Sequence, residues 1–333
     1  MPLKIAIIYN EPVHDRYSDL GEQKAILGVL DEANAVNGAL KQLGYNVKRF
    51  GLSPPIESVR QTFVSLDADV VFNLFEGFAG KPETEAEVAG MIEASGLCYT
   101  GCPPSALSLA LDKSRTKDVL QKAGLPTPRF QVLEPATLDL FDLRLPCIVK
   151  PAAEDASHGL SELSVVSDFT SLAFQVKQVS ELYSGRALVE EFIDGREFNA
   201  TVIGNDKPVV LPVSEIVFNL PQGSPRILTF DAKWEDNSVY SRSTLPVCPA
   251  DLDDVTHDRI AASASSAFQL LGCAGYARVD FRMGSDSIPQ IIEVNPNPDI
   301  SMDAGVARQA RAVGMTYTGL IERIVQLALE RRN

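Results

Sequence analysis

The chain has 333 residues, 45% of them hydrophobic and 22% charged, with 44 acidic against 30 basic side chains and a formal charge of −14. That length predicts two or three domains with a core large enough to need no disulfide staples, and the charge argues against a general nucleic-acid binder, whose phosphate contacts need a cationic face. Five scattered cysteines (98, 102, 147, 248 and 273) give neither a disulfide framework nor zinc-ligand spacing, which points to a reducing compartment, the cytoplasm.

The first ten residues hold a short apolar run that reads as a buried strand at 5–9 rather than a signal peptide. No apolar run approaches 18 residues, so no membrane span is expected. Helical spacing over 23–43, ended by Gly44, is followed by a strand at 47–50, a helix at 56–66, a strand at 68–72 and a helix at 83–94. This alternation predicts a parallel sheet covered by helices. After the Pro103-Pro104 connection come helices at 105–111 and 112–123. From about 128 strands dominate, at 130–133, 147–150, 163–166, 187–192, 198–203 and 208–213, with one amphipathic helix at 169–182. That texture predicts antiparallel α+β structure. Residues 219–247, rich in Pro, Gly, Ser and Asp, read as one long mobile loop. A helix at 254–271, strands at 277–281 and 289–294, and helices at 303–313 and 317–331 complete the chain.

The densest chemistry lies near the end, in Arg278-Val-Asp280-Phe-Arg282 and Ile291-Ile292-Glu293-Val-Asn295. Period-two alternation places Glu293 and Asn295 on one face of their strand. With Asp280 they offer two carboxylates and an amide oxygen, a donor set that suits Mg²⁺; ordinary hairpin surface charge is the other reading. Lys150 ends an apolar strand and is followed by a small polar segment through Ser157, His158 and Gly159, either a phosphate-facing loop or a solvated strand end. Glu190 and Glu191 precede Phe192, Ile193, Gly195 and Glu197. A strand running into a hinge there could read a purine edge and ribose hydroxyls, whereas solvated acids on an edge strand give the same pattern. Lys113 opens a helix, and Lys233 lies beside the only Trp, placed to neutralise a terminal phosphate if its loop closes. No P-loop, G-x-G-x-x-G or G-x-S-x-G motif occurs, which weakens an NAD-dependent dehydrogenase reading of the N-terminal β-α-β pattern.

Taken in order, these pieces resemble the ATP-grasp superfamily and closely its D-alanine–D-alanine ligase branch. The resemblance rests on Gly96-Leu-Cys-Tyr-Thr-Gly101, Ala110-Leu-Asp-Lys113 with Thr116-Lys117, Ala123-Gly-Leu-Pro-Thr-Pro128, Val149-Lys-Pro151, Val189-Glu-Glu-Phe192 with Gly195-Arg-Glu197, Ala232-Lys233, Gly272-Cys-Ala-Gly-Tyr-Ala-Arg278-Val-Asp280 and Glu293-Val-Asn295. It spans about 96–331; the first 95 residues match in pattern only.

The resemblance implies an ATP-grasp fold, with an N-terminal parallel α/β lobe at 1–102, a central α+β lobe at 103–186 and a C-terminal α+β lobe at 187–333 that clamp ATP. It implies phosphate contacts from Lys113 and Lys150, adenine contacts from Glu190 and the backbone near Ile193, ribose contacts from Glu197, and further nucleotide contacts from Glu191 and Ile292. Lys233 would reach the γ-phosphate, Arg278 would stabilise the intermediate, and Asp280, Glu293 and Asn295 would hold two Mg²⁺ ions, Mn²⁺ serving as a substitute. The implied reaction makes an acyl phosphate from a carboxylate and ATP, then an amide on amine attack, releasing ADP and phosphate. The implied partners are small carboxylates and amines, chiefly amino acids, with no nucleic acid or membrane; a homodimer is compatible with the sequence.

Departures cluster on the amino-acid side. Ala156 stands where the family's loop serine is usual, Asp299 where it has an oxyanion-pocket Gly, Ala304 where it has a carboxylate-binding Ser, and Trp234 where it has Tyr. Asn73-Leu-Phe-Glu76-Gly77-Phe replaces its His-Gly segment, and Glu22 is a weak counterpart of its N-terminal substrate Glu. Ser157, His158, Asp299 and Ser301 are therefore the substrate candidates. The expected function is an ATP-dependent carboxylate–amine ligase with a substrate other than D-alanine, the alternative being a non-catalytic nucleotide-binding regulatory or scaffold protein on the same fold.

Overall fold

The computed structural model describes residues 2–13, 23–78, 81–153, 159–183, 185–235 and 237–331. The N-terminal sheet contains β1 (Lys4–Asn10), β2 (Asn46–Leu52), β3 (Val70–Leu74) and β4 (Cys98–Tyr99), all parallel and ordered β2-β1-β3-β4. The central strands β1 and β3 are nearly unbroken buried runs because both faces are covered, whereas the edge strand β2 carries Asn46, Lys48 and Arg49. One face packs on α1 (Gln23–Gln42), the other on α2 (Ile56–Val64) and α3 (Thr84–Ala94). Gly44, at φ +83°, ends the α1 region in the left-handed conformation that only Gly adopts cheaply.

Two helices, α4 (Pro104–Leu111) and α5 (Lys113–Lys122), lead out of this sheet. A second sheet, wholly antiparallel, joins β5 (Phe130–Leu133), β6 (Cys147–Pro151), β7 (Val165–Val166) and β8 (Ala187–Glu191) in the order β5-β8-β6-β7. Helix α6 (Phe169–Leu182) covers one face through Leu172, Val176 and Val179. It starts where the sequence indicates, because Asp168 accepts a hydrogen bond from the Ser171 N–H at 2.8 Å.

The third sheet holds β9 (Arg196–Gly204), β10 (Val209–Val210), β11 (Ser214–Phe218), β12 (Thr244–Val247), β13 (Gly275–Met283) and β14 (Pro289–Asn295). Its order is β12-β11-β9-β13-β14, with β10 also on β9. Its inner face packs on α4 and on α9 (Asp254–Leu270), burying Phe198, Val202, Val279, Phe281, Ile260 and Phe268. The chain ends with α10 (Gly305–Ala312) and α11 (Tyr317–Glu330).

The single long loop expected at 219–247 is overturned. Helices α7 (Phe230–Trp234) and α8 (Val239–Ser243) and strand β12 lie within it. Thr229 and Ser238 accept hydrogen bonds from the Ala232 and Ser241 N–H groups, so two polar residues of the segment are helix caps. The strand expected at 163–166 begins as a 3₁₀ turn at Glu162–Ser164, and that expected at 208–213 is two residues long. Strands β4 and β11 carry no clear signal in the sequence: the first has only two residues, and the second runs into the polar segment.

Candidate active site

Alternation along the third sheet builds one chemically active face. On β9, Phe198, Ala200 and Val202 enter the core, leaving Glu197, Asn199 and Thr201 on the opposite face. On β13, Ala277, Val279 and Phe281 enter the same core, leaving Tyr276, Arg278, Asp280 and Arg282 beside them. Register pairs Arg282 with Glu197, Asp280 with Asn199 and Arg278 with Thr201. The Asn199 amide donates to Asp280 Oδ1 at 2.8 Å, while Arg278 grips both Asp280 oxygens at 2.8 and 2.9 Å.

Strand β14 reaches this face through a bulge. Phe281 pairs with Ile291, but Asp280 pairs with Glu293, so Ile292 is the extra residue. The bulge lets both Ile291 and Val294 enter the core while Glu293 and Asn295 join Asp280 and Arg278. An unbulged strand with Ile291 inward would bury Glu293 in the core.

Lysines from the other lobe face these acids. Asp112 caps α5 by accepting from the Arg115 N–H at 3.1 Å, and the helix projects Lys113 and Lys117 from one side, four residues apart. Lys113 is ion-paired with Glu293. Lys117 lies 3.3 Å from Glu190 and donates to Thr127 at 2.8 Å. Lys150 on β6 approaches the same Glu190 oxygen at 3.0 Å across a diagonal of the β6–β8 pair.

The electrostatics follow from this crowding. Burial pushes the Glu293 carboxyl upward, but Lys113, Lys150 and Lys233 overcome it and hold the group at about 2. Burial likewise opposes ionisation of Glu190, and Lys117 and Lys150 hold it below its ordinary value. Lys117 is brought down to about 8, chiefly by burial, with Glu190 resisting. Burial also raises Glu197, outweighing Arg282 at 3.7 Å. The Lys233 pKa is lowered, first by loss of water around the ammonium and then by Arg278, although the residue as a whole stays exposed at the mouth of the cleft.

The hinge between the two antiparallel sheets runs through Phe192, Ile193, Asp194 and Gly195. A side chain at Gly195 would lie 2.0 Å from the Met283 carbonyl oxygen, so only Gly fits this crossing. On the far side, the Trp234 ring of α7 reaches α1, where a methyl group on Gly28 would lie 3.1 Å from it.

A family model described as D-ala D-ala ligase C-terminus matches residues 119–326. A D-alanine–D-alanine ligase of Moorella thermoacetica is 32% identical over 350 residues, covering 98% of this chain and all of the relative. That of Bordetella petrii is 33% identical over 304 residues, covering 90% and 87%. The chain belongs to the D-alanine–D-alanine ligase family. It is a ligase that forms C–N bonds.

Solved structures agree on the fold. The ATP-complexed D-alanine–D-alanine ligase of Bacillus anthracis superposes with a TM-score of 0.75 at 20% identity, covering 100% of this chain and 98% of that one. The VanG D-Ala:D-Ser ligase of Enterococcus faecalis superposes at 0.77 and 20% identity, covering 98% and 100%. The ligase thus has the ATP-grasp fold.

Within this ligase, Lys113, Lys150, Glu190, Glu197, Arg278, Asp280, Glu293 and Asn295 converge on one cleft, with Lys233 at its mouth and Ile193 in the hinge. Glu191 does not join them. Alternation turns its side chain the other way, where Arg144 at 2.7 Å and Arg129 at 3.3 Å neutralise it. Asp299 and Ser301 lie on the connection from β14 to α10, where the Ser301 N–H donates to Asp299 Oδ1 at 2.7 Å. Ser157 and His158 lie outside the described residues, as do Ala156 and Glu22.

The sequence reading passed over Lys117, Asn199 and Arg282 as site residues. The i,i+4 spacing of Lys113 and Lys117 and the alternation of 278, 280 and 282 are the signals that identify the first and third. Among the described residues no three His, Cys, Asp or Glu gather as a metal cluster. The Asp280 and Glu293 carboxylates, directly opposed across the hairpin with the Asn295 amide beside them, nevertheless form a hard oxygen set that fits Mg²⁺ completed by phosphate and water.

Proposed function

We propose that the ligase binds ATP between the second and third sheets and uses it to join a carboxylate to an amine through an acyl phosphate. The observation that carries this reading is the convergence of Lys113, Lys150, Lys233 and Arg278 on two opposed carboxylates at a hinge between sheets, with Lys117 on Glu190 beside them. Phosphoryl transfer needs positioning and charge neutralisation more than a covalent nucleophile, and this cleft supplies both. Lys113 and Lys150 hold phosphates, Glu190 with the Ile193 backbone holds the base beside Ile292, and Glu197 holds the ribose. Lys233 meets the γ-phosphate from α7. Arg278, clamped by Asp280, keeps its charge fixed for the anionic intermediate. Asp280, Glu293 and Asn295 hold Mg²⁺, or Mn²⁺ in its place, which supplies further charge neutralisation at the phosphates.

We place the three lobes at 1–102, 103–186 and 187–333 and the reaction in the cytoplasm, where ATP is available; all five cysteines are free thiols, as that compartment requires. No helix among the described residues is long and apolar enough to cross a membrane. Amino acids are the substrates, but the pair is not two D-alanines. Asp299, Ala304 and Trp234 change the amino-acid side, while the nucleotide and metal positions are kept.

The test is ADP release from Mg-ATP across a matrix of amino-acid pairs, with product mass read in parallel. Turnover with a pair other than two D-alanines is expected, and Glu293→Gln should lower it at least about 100-fold. No ADP from any pair despite nucleotide binding would make the chain a scaffold, and D-alanyl-D-alanine as the best product would refute the altered substrate.

A further inference from the structure

The polar stripe on β13 does not stop at Arg278. It continues to Tyr276, on the same face and one alternation nearer the N-terminal lobe. Four separate elements meet there: Glu32 from α1, Tyr276 from β13, Asp299 from the β14–α10 connection and Tyr317 at the start of α11. Glu32 is 4% exposed and accepts one hydrogen bond, from the Ile300 N–H at 2.8 Å. Tyr276 is fully buried, and among the described residues its hydroxyl has no hydrogen-bond partner, nor has the buried Tyr317 hydroxyl. Among the charged groups bearing on the Tyr276 hydroxyl, Glu32 is the strongest; those bearing on Tyr317 are Glu32 and Asp299. Among the described residues no Lys, Arg or His forms an ion pair with Glu32 or Asp299.

Buried hydroxyls without partners are uncommon and call for an explanation. A buried carboxylate beside a second acid and without a cation is more costly still. Burial, with Asp299 and then Glu76 adding to it, pushes the Glu32 carboxyl well above the ordinary carboxylate range. A bound cation removes this cost and gives the carboxylates a charge to hold. Asp299 is itself exposed and bears on Arg278 as well as on Glu32, so it lies between the reaction centre and Glu32.

We propose that Glu32 and Asp299, with the hydroxyls of Tyr276 and Tyr317, form a subsite for the ammonium groups of a basic amino acid, which makes one substrate of the ligase a diamino acid. The proposal rests on the ligase reading and names the substrate class of its cleft. Among the described residues neither acid forms an ion pair, so the two match the two ammonium charges of such a molecule, whereas a neutral-side-chain amino acid brings one. An ammonium held by carboxylates stays protonated and cannot be the attacking nucleophile. The subsite therefore holds both amines as spectators, and the group that reacts is the carboxylate, which lies toward Arg278.

Calorimetry on the full chain with a non-hydrolysable ATP analogue and Mg²⁺ tests the idea, using 2,4-diaminobutyrate, ornithine, lysine and alanine, each as both enantiomers. At least one diamino acid should bind at least tenfold more tightly than either alanine. Glu32→Gln keeps the acceptor for the Ile300 N–H and should erase that preference without weakening nucleotide binding, and Asp299→Asn should reduce it. Equal binding of alanine and all diamino acids would overturn the proposal. So would an unchanged preference in Glu32→Gln, which would make Glu32 a neutral structural acid. Selective diamino-acid binding without ADP release from any substrate pair would leave the subsite standing and sink the ligase reading instead.

Discussion

Glu293 is the residue on which the site's charges balance. Its carboxyl is held at about 2 against an ordinary 4.5. A carboxyl depressed on folding contributes stability that is fully present above the unfolded value and lost as pH falls through the folded one. Thermal melts should therefore show stability falling between about pH 4.5 and pH 2, and Glu293→Gln should flatten that limb by the contribution of one proton; an identical pH profile in the variant would contradict the Lys113 pairing. Asp280, Glu293 and Asn295 were legible in the sequence because alternation fixes which strand residues share a face. Lys117 was not, because a helical Lys reads as solvated until the fold shows that Glu190 lies beside it.

At the scale of the element, α5 shows how a local signal positions chemistry. Its first residue is Lys113, and Lys117 follows one turn later on the same side. Asp112 caps it, and burial of the Asp112 carboxyl is outweighed by the Ser114 hydroxyl and the Arg115 N–H, which keep it ionised. Asp112→Ala should cost about 1 kcal/mol in urea denaturation. The same change should raise the KM for ATP several-fold by loosening both lysines, and an unchanged KM would show that packing alone holds the helix. Strand β14 is the opposite case. The run Ile291-Ile292-Glu293-Val294 violates period two, and the sequence does not reveal which residue is extra. Pairing with β13 decides it, because only a bulge at Ile292 puts two apolar neighbours in the core and Glu293 opposite Asp280.

At the scale of the molecule, the last helix packs on the first sheet. Leu320, Ile321, Ile324 and Val325 of α11 share a core with Ile5, Ile7 and Phe72, and with Tyr276 of β13. The N-terminal sheet, the C-terminal helix and the catalytic sheet are thus mechanically joined, and the proposed ammonium pocket sits at the joint. Ile324→Ala, at a fully buried position, should cost about 2–5 kcal/mol. Urea unfolding followed by both far-UV circular dichroism and Trp234 fluorescence should stay a single transition, whereas two separated transitions would show that α11 and its sheet unfold independently of the catalytic lobes.

The sequence by itself determined the alternating α/β start, the antiparallel remainder, the family and the identity of most cleft residues. Each of these depends on local information: periodicity, caps, and the order of short motifs. The tertiary structure decided what depends on distant partners. It divided the 219–247 segment into two capped helices and a strand, turned Glu191 away to Arg144, chose Ile292 as the bulge and brought Lys117 to Glu190. It also brought Glu32, an unremarked acid in the middle of a helix, to the Ile300 N–H beside Asp299, hundreds of residues later. Long-range pairing and burial set the cost of every one of these charges, and neither can be read from neighbours in the chain.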